Sequence, residues 1–155
     1  MHNTQLHGLH RTLLRSQHPK LYFVSFEPLM LRKSDAENLQ PGQKIFLGKR
    51  LPQLYVYRKG GVVGQVDLGQ VEGREVLIVS AKERISNLGK AEPKYLALEC
   101  RMALLPKQEF VVGKLVHLPQ DSLQCLLLFI KQEQVASASL MQNSEGYFLQ
   151  IEACS

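Results

Sequence analysis

Cysteine is scarce in this sequence of 155 residues, and tryptophan is absent. The three cysteines, Cys100, Cys125 and Cys154, are odd in number and lie far apart. No two of them have the short spacing that zinc-binding or redox motifs require. We therefore expect unpaired thiols in a protein of a reducing compartment.

Long apolar runs are also missing. The longest is Leu126–Ile130, far short of the roughly 20 residues that span a bilayer. Residues 1–20 contain no apolar stretch of the signal-peptide type. These absences predict a cytoplasmic protein that does not insert into membranes.

The groups that usually carry catalysis or bind metals are poorly placed. Of the histidines, only His117 lies beyond residue 20, and its position between Val116 and Leu118 predicts a solvent-facing residue on a strand. A helical His7–His10 pair has metal-ligand spacing, but no cysteine or carboxylate lies nearby in the sequence. We expect no metal site and no cofactor. The four other histidines are His2, His7, His10 and His18.

Sequence motifs of enzymes are missing as well. Gly60, Gly61 and Gly64 superficially resemble a phosphate-binding loop, but strand residues follow them and no Gly-Lys-Ser/Thr ending appears. A hairpin turn explains these glycines. No nucleophile elbow and no zinc-protease helix occurs, and the acidic residues are scattered singly. The sequence predicts a protein that is not an enzyme.

Short β-rich segments separated by turn residues fill the rest of the chain. They predict an all-β protein with one or two short helices, one of which begins at the capping-box-like Ser34-Asp35-Ala36-Glu37. Lys59-Gly60-Gly61 and Glu72-Gly73 have the composition of hairpin turns. The predicted strands are residues 21–26, 45–47, 54–57, 62–66, 76–79 and 96–100.

The second half of the chain repeats the pattern of the first. Leu39, Gly42, Ile45 and Leu47 correspond to Phe110, Gly113, Val116 and Leu118, and segment 54–57 corresponds to 126–129. The slips between corresponding residues fall in loops, where insertions are tolerated. Val63-Gly64, Leu68, Glu72-Gly73, Val76 and Ile78 then correspond to Val135-Ala136, Leu140, Glu145-Gly146, Leu149 and Ile151.

This repeat predicts three regions. Residues 1–20 form a leader, either a short amphipathic helix or a disordered segment, and residues 21–90 and 91–155 form two small β modules. A module of about 65 residues is marginally stable alone, so the two are expected to pair and share one core. The predicted pairing core is Leu54, Val56, Val63, Val66, Val76, Ile78, Leu126, Leu128, Val135, Leu140, Leu149 and Ile151.

Charge is distributed unevenly between the modules. Residues 1–90 carry 14 Lys/Arg against 7 Asp/Glu, whereas residues 91–155 carry 5 against 7. Opposite charge favours contact between the halves, or between the first half and an acidic partner. Single-stranded nucleic acid is an alternative ligand, because Tyr55 and Tyr57 lie near the basic pairs Lys49-Arg50 and Arg58-Lys59. One aromatic face used for packing in both halves explains the tyrosines better.

The order of these motifs resembles the surface-presentation-of-antigens (SpoA) domain. Residues 39–47 are similar to its element of a leucine, a glycine and an apolar strand, and the next strand, the Val63-Gly64-Gln65-Val66 strand and the Glu72-Gly73 hairpin follow in the family's order. Segments 135–140 and 145–151 repeat the pattern. The likeness extends from Leu21 to the C-terminus, although Val112-Gly113 replaces Pro41-Gly42 in the second copy.

This resemblance implies a function in protein assembly. Tandem SpoA domains are typical of the sorting-platform, or C-ring, proteins of type III secretion, where they form an intertwined pair within one chain. The implied role is a scaffold that binds the stator-like regulator of the export ATPase and other platform proteins, at the inner face of the bacterial inner membrane. Pairing with further SpoA domains or with itself is also implied.

Two alternative functions stay open. One is a flagellar motor switch component of the same family, and the other is a small β-barrel protein that binds single-stranded nucleic acid. Secretion proteins of this family usually carry a larger region before the tandem than the short leader found here, so a C-terminal fragment, a split-gene product or a shortened homologue is expected.

Overall fold

The computed structural model describes residues 14–15, 21–58, 61–85 and 92–155. The His7–His10 pair, His2 and His18, most of the leader and the Lys59-Gly60 turn lie outside the described residues, as do residues 86–91 of the expected joint between modules. Most described residues belong to one large antiparallel β-sheet, which confirms the all-β prediction. The predicted strands are present, and β2 is an additional one.

The elements follow one another in two similar series. The first series contains a single helical turn, α1 (Lys33–Glu37), and the second contains two 3-10 turns, Lys107–Glu109 and Ser122–Gln124. Hairpins join the last three strands of each series. The strands are β1 (Tyr22–Phe26), β2 (Leu29–Arg32), β3 (Lys44–Gly48), β4 (Leu54–Arg58), β5 (Gly61–Val71), β6 (Arg74–Ala81), β7 (Tyr95–Leu105), β8 (Leu115–His117), β9 (Leu126–Ile130), β10 (Glu133–Asn143) and β11 (Gly146–Cys154).

Helix α1 lies where the capping-box pattern predicts it, but Ser34 is not its N-cap. The helix begins at Lys33 after the extended residue Arg32, and no side chain caps it. Ser34 is therefore already inside the helix, where its main-chain carbonyl accepts a hydrogen bond of 2.7 Å from the side chain of Asn38. A capping motif fixes the neighbourhood of a helix start better than its first residue.

The two series exchange their edge strands. The order across the sheet is β3-β11-β10-β9-β7-β1-β4-β5-β6-β8, with β2 paired to β7. Strand β3 of the first series thus pairs with β11, the last strand of the second, while β8 of the second series pairs with β6 of the first. Each end of the sheet therefore needs a strand from the other half of the chain.

The registers of the two series match residue for residue. Leu54 faces Val66 in the first series, and Leu126 faces Ala138 in the second, so the displacement is the same for both partners (126 − 54 equals 138 − 66). The register shift between β4 and β5 recurs between β9 and β10 after this displacement. Because bulges are specific features of a sheet, their recurrence indicates equivalent local geometry.

The centre of the sheet is the pairing of β1 with β7. Ser25 and Arg101 are register partners there. Ser25 also faces Tyr55 of β4, and Arg101 faces Leu127 of β9, which is the counterpart of Tyr55 at the same displacement. Ser25 and Arg101 are therefore equivalent positions that face each other, as expected at a local two-fold axis.

The last strand of each series corrects the sequence alignment by a single position. Leu68 faces Leu77 and Leu140 faces Leu149, so β6 and β11 keep the displacement of the preceding strands (149 − 77 equals 140 − 68). Leu77 and Val79, not Val76 and Ile78, are the equivalents of Leu149 and Ile151. A slip by a single position moves every side chain of a strand to the opposite face, and Ile78 is accordingly exposed.

The turn before each exchanged strand has the same geometry in both series. Gly42 has a φ of 86° and Gly113 a φ of 87°, in the left-handed region that favours glycine. The amide of Gly42 donates to the carbonyl of Ile151 at 2.7 Å, and that of Gly113 donates to Val79 at 2.8 Å. Val112-Gly113 therefore forms the same turn as Pro41-Gly42, although it lacks the proline.

The two faces of the sheet are covered differently. Its inner face carries the main core, which extends through both series without a break and includes Val56, Leu77, Leu128 and Leu149. A smaller cluster lies on the other face, over the central strands. Its members are Leu14, Phe23, Leu127 and Phe129, with Leu21, Tyr57 and Leu104 packed against them.

Candidate functional site

Most residues of the predicted pairing core have buried side chains. Val63 is half-buried, and its neighbour Val62 is the more deeply buried of the two. Val135 and Leu140 are half-buried against the main core, and Ile78 is 37% exposed. The remaining eight are buried: Leu54, Val56, Val66, Val76, Leu126, Leu128, Leu149 and Ile151.

The most unusual polar group in the sheet is the guanidinium of Arg101. It is 5% exposed and lies between two aromatic rings, 4.5 Å from the centroid of Phe23 and 3.9 Å from that of Phe129. Its Nε donates to Glu99 at 3.0 Å in a salt bridge. Stacking and pairing together compensate the burial of this charge, which an isolated cation could not tolerate.

The second hydrogen bond of Arg101 reaches the leader. Nη1 donates to the main-chain carbonyl of Leu14 at 2.8 Å, and the Leu14 side chain is fully buried in the outer cluster. Arg15 donates from Nε to the side chain of Gln134 at 2.9 Å. Leu14 and Arg15 are therefore attached to the face of β1, β7, β9 and β10 by an apolar side chain, a main-chain oxygen and a polar side chain.

The tyrosines considered for nucleic-acid stacking lie on β4. Tyr57 is half-buried against the outer cluster, and its hydroxyl has no hydrogen-bond partner among the described residues. Desolvation by burial, followed by the negative charge of Glu99, raises the pKa of Tyr57. Its ring is occupied by packing within the protein, so it does not offer a free platform for a base.

An exposed apolar patch lies at the β3 end of the sheet; we call it the end patch and define it as the exposed Phe46 and Met141 together with Phe148, which is only 8% exposed. Phe148 is the register partner of both others. Phe46 is 58% exposed and Met141 is 40% exposed. The Lys44 ammonium lies 5.1 Å from the centroid of the Phe148 ring. The patch thus combines aromatic surface with a basic residue at an edge strand.

The opposite end of the sheet has a different surface. At the positions equivalent to Phe46, Phe148 and Met141 stand His117, Val76 and Gly69. The exposed apolar residues there are Val111 and Val112, just before β8, together with Ile78 and Leu115, which are register partners and are each 37% exposed. His117 is exposed on β8, as predicted. The two ends therefore share a backbone but present different groups to a partner.

A cleft of about 530 Å³ lies beside the β5–β6 hairpin. Glu75 lines it, and one of its carboxylate oxygens is shielded from water without a hydrogen-bond partner among the described residues. Burial raises the pKa of the Glu75 carboxyl. Gly73, Arg74 and residues 118–124 line the rest of the cleft.

The cysteines among the described residues differ in exposure, with Cys100 buried and Cys154 exposed. Within these ranges, no three His, Cys, Asp or Glu residues converge as metal ligands. The three cysteines are free, and burial raises the pKa of Cys100, which makes its thiol unreactive at neutral pH. No helix in the described part of the chain is long and apolar enough to cross a membrane.

Sequence reasoning missed both Arg101 and the end patch. Arg101 follows Leu96-Ala97-Leu98-Glu99-Cys100, and the even alternation of charged residues at 99 and 101 suggests an ordinary solvent face. Only the leader and the flanking rings, which are distant in sequence, bury that face. Phe46 lies between Ile45 and Leu47, so no periodicity marks it as the exposed member.

Comparison with protein-family models and with curated proteins finds no match for this chain.

Proposed function

We propose that the chain is a non-enzymatic scaffold built from two SpoA-like modules that pair within one polypeptide. The observation that carries this proposal is the exchange of edge strands, β3 onto β11 and β8 onto β6, around the Ser25–Arg101 pair. An intertwined pair is what the SpoA resemblance implies. The constant sequence displacement between corresponding hairpin strands of the two series supports a duplication.

The proposed role is in the type III secretion sorting platform, where the scaffold binds the stator-like regulator of the export ATPase. The surfaces support binding rather than catalysis, because the apolar end patch includes Phe46 of the edge strand β3, which can accept a partner. Lys44, Lys49 and Arg50 are exposed on and just after β3. A partner segment with apolar and acidic side chains would complement this surface.

Co-purification tests this role directly. The chain is co-expressed with the stator-like and ATPase subunits of the secretion system encoded in the same genome, and we expect a stable complex in gel filtration. Phe46→Ser should weaken it at least tenfold, because a well-packed aromatic anchor contributes about 2 kcal/mol or more. Ile78→Ser, at the other end of the sheet, is the matched control.

The outcome separates the proposal from its alternatives. A complex that forms only with flagellar components would move the role to the motor switch. Salt-dependent binding of a single-stranded oligonucleotide, without any protein complex, would favour the nucleic-acid alternative. If the chain binds none of the cytosolic secretion components, the sorting-platform role is wrong.

A further inference from the structure

The face around Arg101 has the features of a binding site that is already occupied. Phe23 of β1 and Leu127 and Phe129 of β9, the two strands that flank β7, form an apolar floor, and each is at most 6% exposed because the site is covered. The Leu14 side chain packs against this floor and is fully buried. Leu14 thus acts on this floor as an anchor residue does in a protein interface.

The polar part of the site recognises main chain rather than a side chain. Arg101 points one nitrogen at Glu99 and another at the carbonyl of Leu14. Leu14 and Arg15 are helical, and the Leu14 carbonyl accepts the hydrogen bond from Arg101. A guanidinium fixed between two rings is a preorganised donor for such a carbonyl.

From this geometry we infer that the strip formed by Phe23, Leu127, Phe129 and Arg101 is a receptor site for a leucine-bearing helical turn, and that its occupant is the leader of the same chain. The segment that carries Leu14 and Arg15 acts as a detachable strap over this strip. This inference does not depend on the sorting-platform role, since it concerns a contact within the chain.

Several contacts argue that the leader is the occupant. Leu14 supplies the buried side chain and the accepted carbonyl, and Arg15 adds a bond to Gln134 on β10. Arg15 and Tyr22 of β1 are close in sequence, so the linker is short. A short linker gives a tethered ligand an effective concentration of about millimolar, which keeps the site closed even if the intrinsic affinity is weak.

Binding in trans tests the inference. The probe is a fluorescently labelled synthetic peptide of residues 1–20, and the receptor is the full chain carrying Leu14→Asp, whose own leader can no longer bury residue 14. We expect saturable binding by fluorescence anisotropy. The wild-type chain should bind the peptide at least tenfold more weakly, because its site is occupied in cis. A peptide carrying Leu14→Asp should not bind.

Arg101 is tested by a second substitution in the receptor. Adding Arg101→Met to Leu14→Asp keeps an apolar side chain between the rings but removes the donors, and we expect peptide affinity to fall about tenfold, as loss of a charge-assisted hydrogen bond predicts. Arg74→Met, at an exposed hairpin, should leave affinity unchanged. Far-UV circular dichroism checks that each receptor is folded, and Leu14→Ala replaces Leu14→Asp if that variant is not.

Exposure of the strap in the intact chain gives an independent measurement. Trypsin cleavage after Arg15, followed by mass spectrometry, should be about tenfold faster in Arg101→Met than in the wild type, because proteolysis follows the population of the open form. The inference is overturned if the peptide does not bind the Leu14→Asp chain, if it binds the wild type equally well, or if Arg101→Met changes neither affinity nor cleavage.

Discussion

Residues 21–85 and residues 92–155 pair their strands in the same registers, but they carry different residues at three equivalent positions that matter for local structure. Gly64 stands where the second series has Ala136, Arg74 where it has Gly146, and Ser25 where it has Arg101. The backbone arrangement is shared, whereas the side chains at equivalent points are not. Pairing therefore constrains the strands, while loops and faces are free to acquire separate functions.

The hairpins illustrate this difference. A side chain at Gly146 would collide with the carbonyl of Gly48, so the hairpin of the second series packs tightly against the turn after β3. Arg74 occupies the equivalent position in the first series. The connection from β8 to β9, which includes residues 118–124 and lies beside Arg74, is longer than the connection from β3 to β4. The cleft beside Glu75 lies there, whereas at the equivalent position of the second series Gly146 approaches Gly48 closely.

The largest expected effect tests whether the two ends of the sheet are energetically equivalent. Leu77 and Leu149 are fully buried and face the exchanged strands through Val116 and Ile45. Leu77→Ala and Leu149→Ala should each lower the free energy of unfolding by about 3 kcal/mol, because each leaves a cavity in a continuous core. Urea unfolding of the two variants measures this.

The control for Leu77→Ala is a substitution on the exposed face of the same strand, β6. Ile78→Ala removes a similar side chain from the exposed face and should cost less than about 1 kcal/mol. A single cooperative transition in every variant would agree with one shared core. Two separate transitions, or a cost at one end less than half that at the other, would contradict energetic equivalence of the two ends.

The repeated turns and the hairpins of this structure could be predicted from the sequence. Gly42 and Gly113 precede apolar strands at equal spacing, and the positive φ that both require makes them reliable markers of the repeated turn. The strands of the hairpins were predictable for a related reason: each hairpin is local, and its turn residues bound two β-rich segments.

Other features could not be predicted because they depend on distant parts of the chain. Val76-Leu77-Ile78-Val79 is apolar at every position, so alternation gives no indication which residues face the core. The partner strand β8, which belongs to the other half of the chain, settles that question through the pairing of Leu77 with Val116. Arg101 is similar, since its burial depends on Leu14 and Phe129.

The next effect tests how the first series accommodates Phe110. A Cβ at Gly64 would lie 2.6 Å from the Phe110 ring and 2.5 Å from the carbonyl oxygen of Ala81. Gly64→Ala should therefore destabilise the chain by about 2 kcal/mol, as overpacking does. The second series has alanine at this position, Ala136, and the smaller Leu39 is the counterpart of Phe110. Thermal unfolding measures the change.

A double-mutant cycle separates the two collisions. Phe110→Leu in the Gly64→Ala background relieves the ring but not the carbonyl, so we expect a favourable coupling of about 1 kcal/mol. Gly61→Ala is the matched control on the same strand, because nothing lies within 4 Å of its Cβ position. Absence of coupling would show that the Ala81 carbonyl alone excludes a side chain at residue 64.

The smallest expected effect depends on pH and concerns Glu75, whose counterpart in the second series is Tyr147. Desolvation raises the pKa of Glu75 above its ordinary value of 4.5. A carboxyl with a raised pKa in the folded state stabilises the fold while it is protonated, and this contribution is lost as pH rises through the folded-state pKa. At neutral pH the charged carboxylate therefore opposes folding.

Glu75→Gln removes this charge and keeps the shape of the side chain. It should raise the free energy of unfolding at pH 7 by less than about 1 kcal/mol, since one oxygen of Glu75 is shielded and the side chain is only half-buried. The gain should shrink toward pH 4, where the wild-type carboxyl becomes protonated. Urea unfolding at both pH values measures it, with Glu145→Gln on the exposed hairpin of the second series as the control. An equal gain at both pH values would mean that hydrogen bonding by the amide, rather than removal of the charge, is responsible.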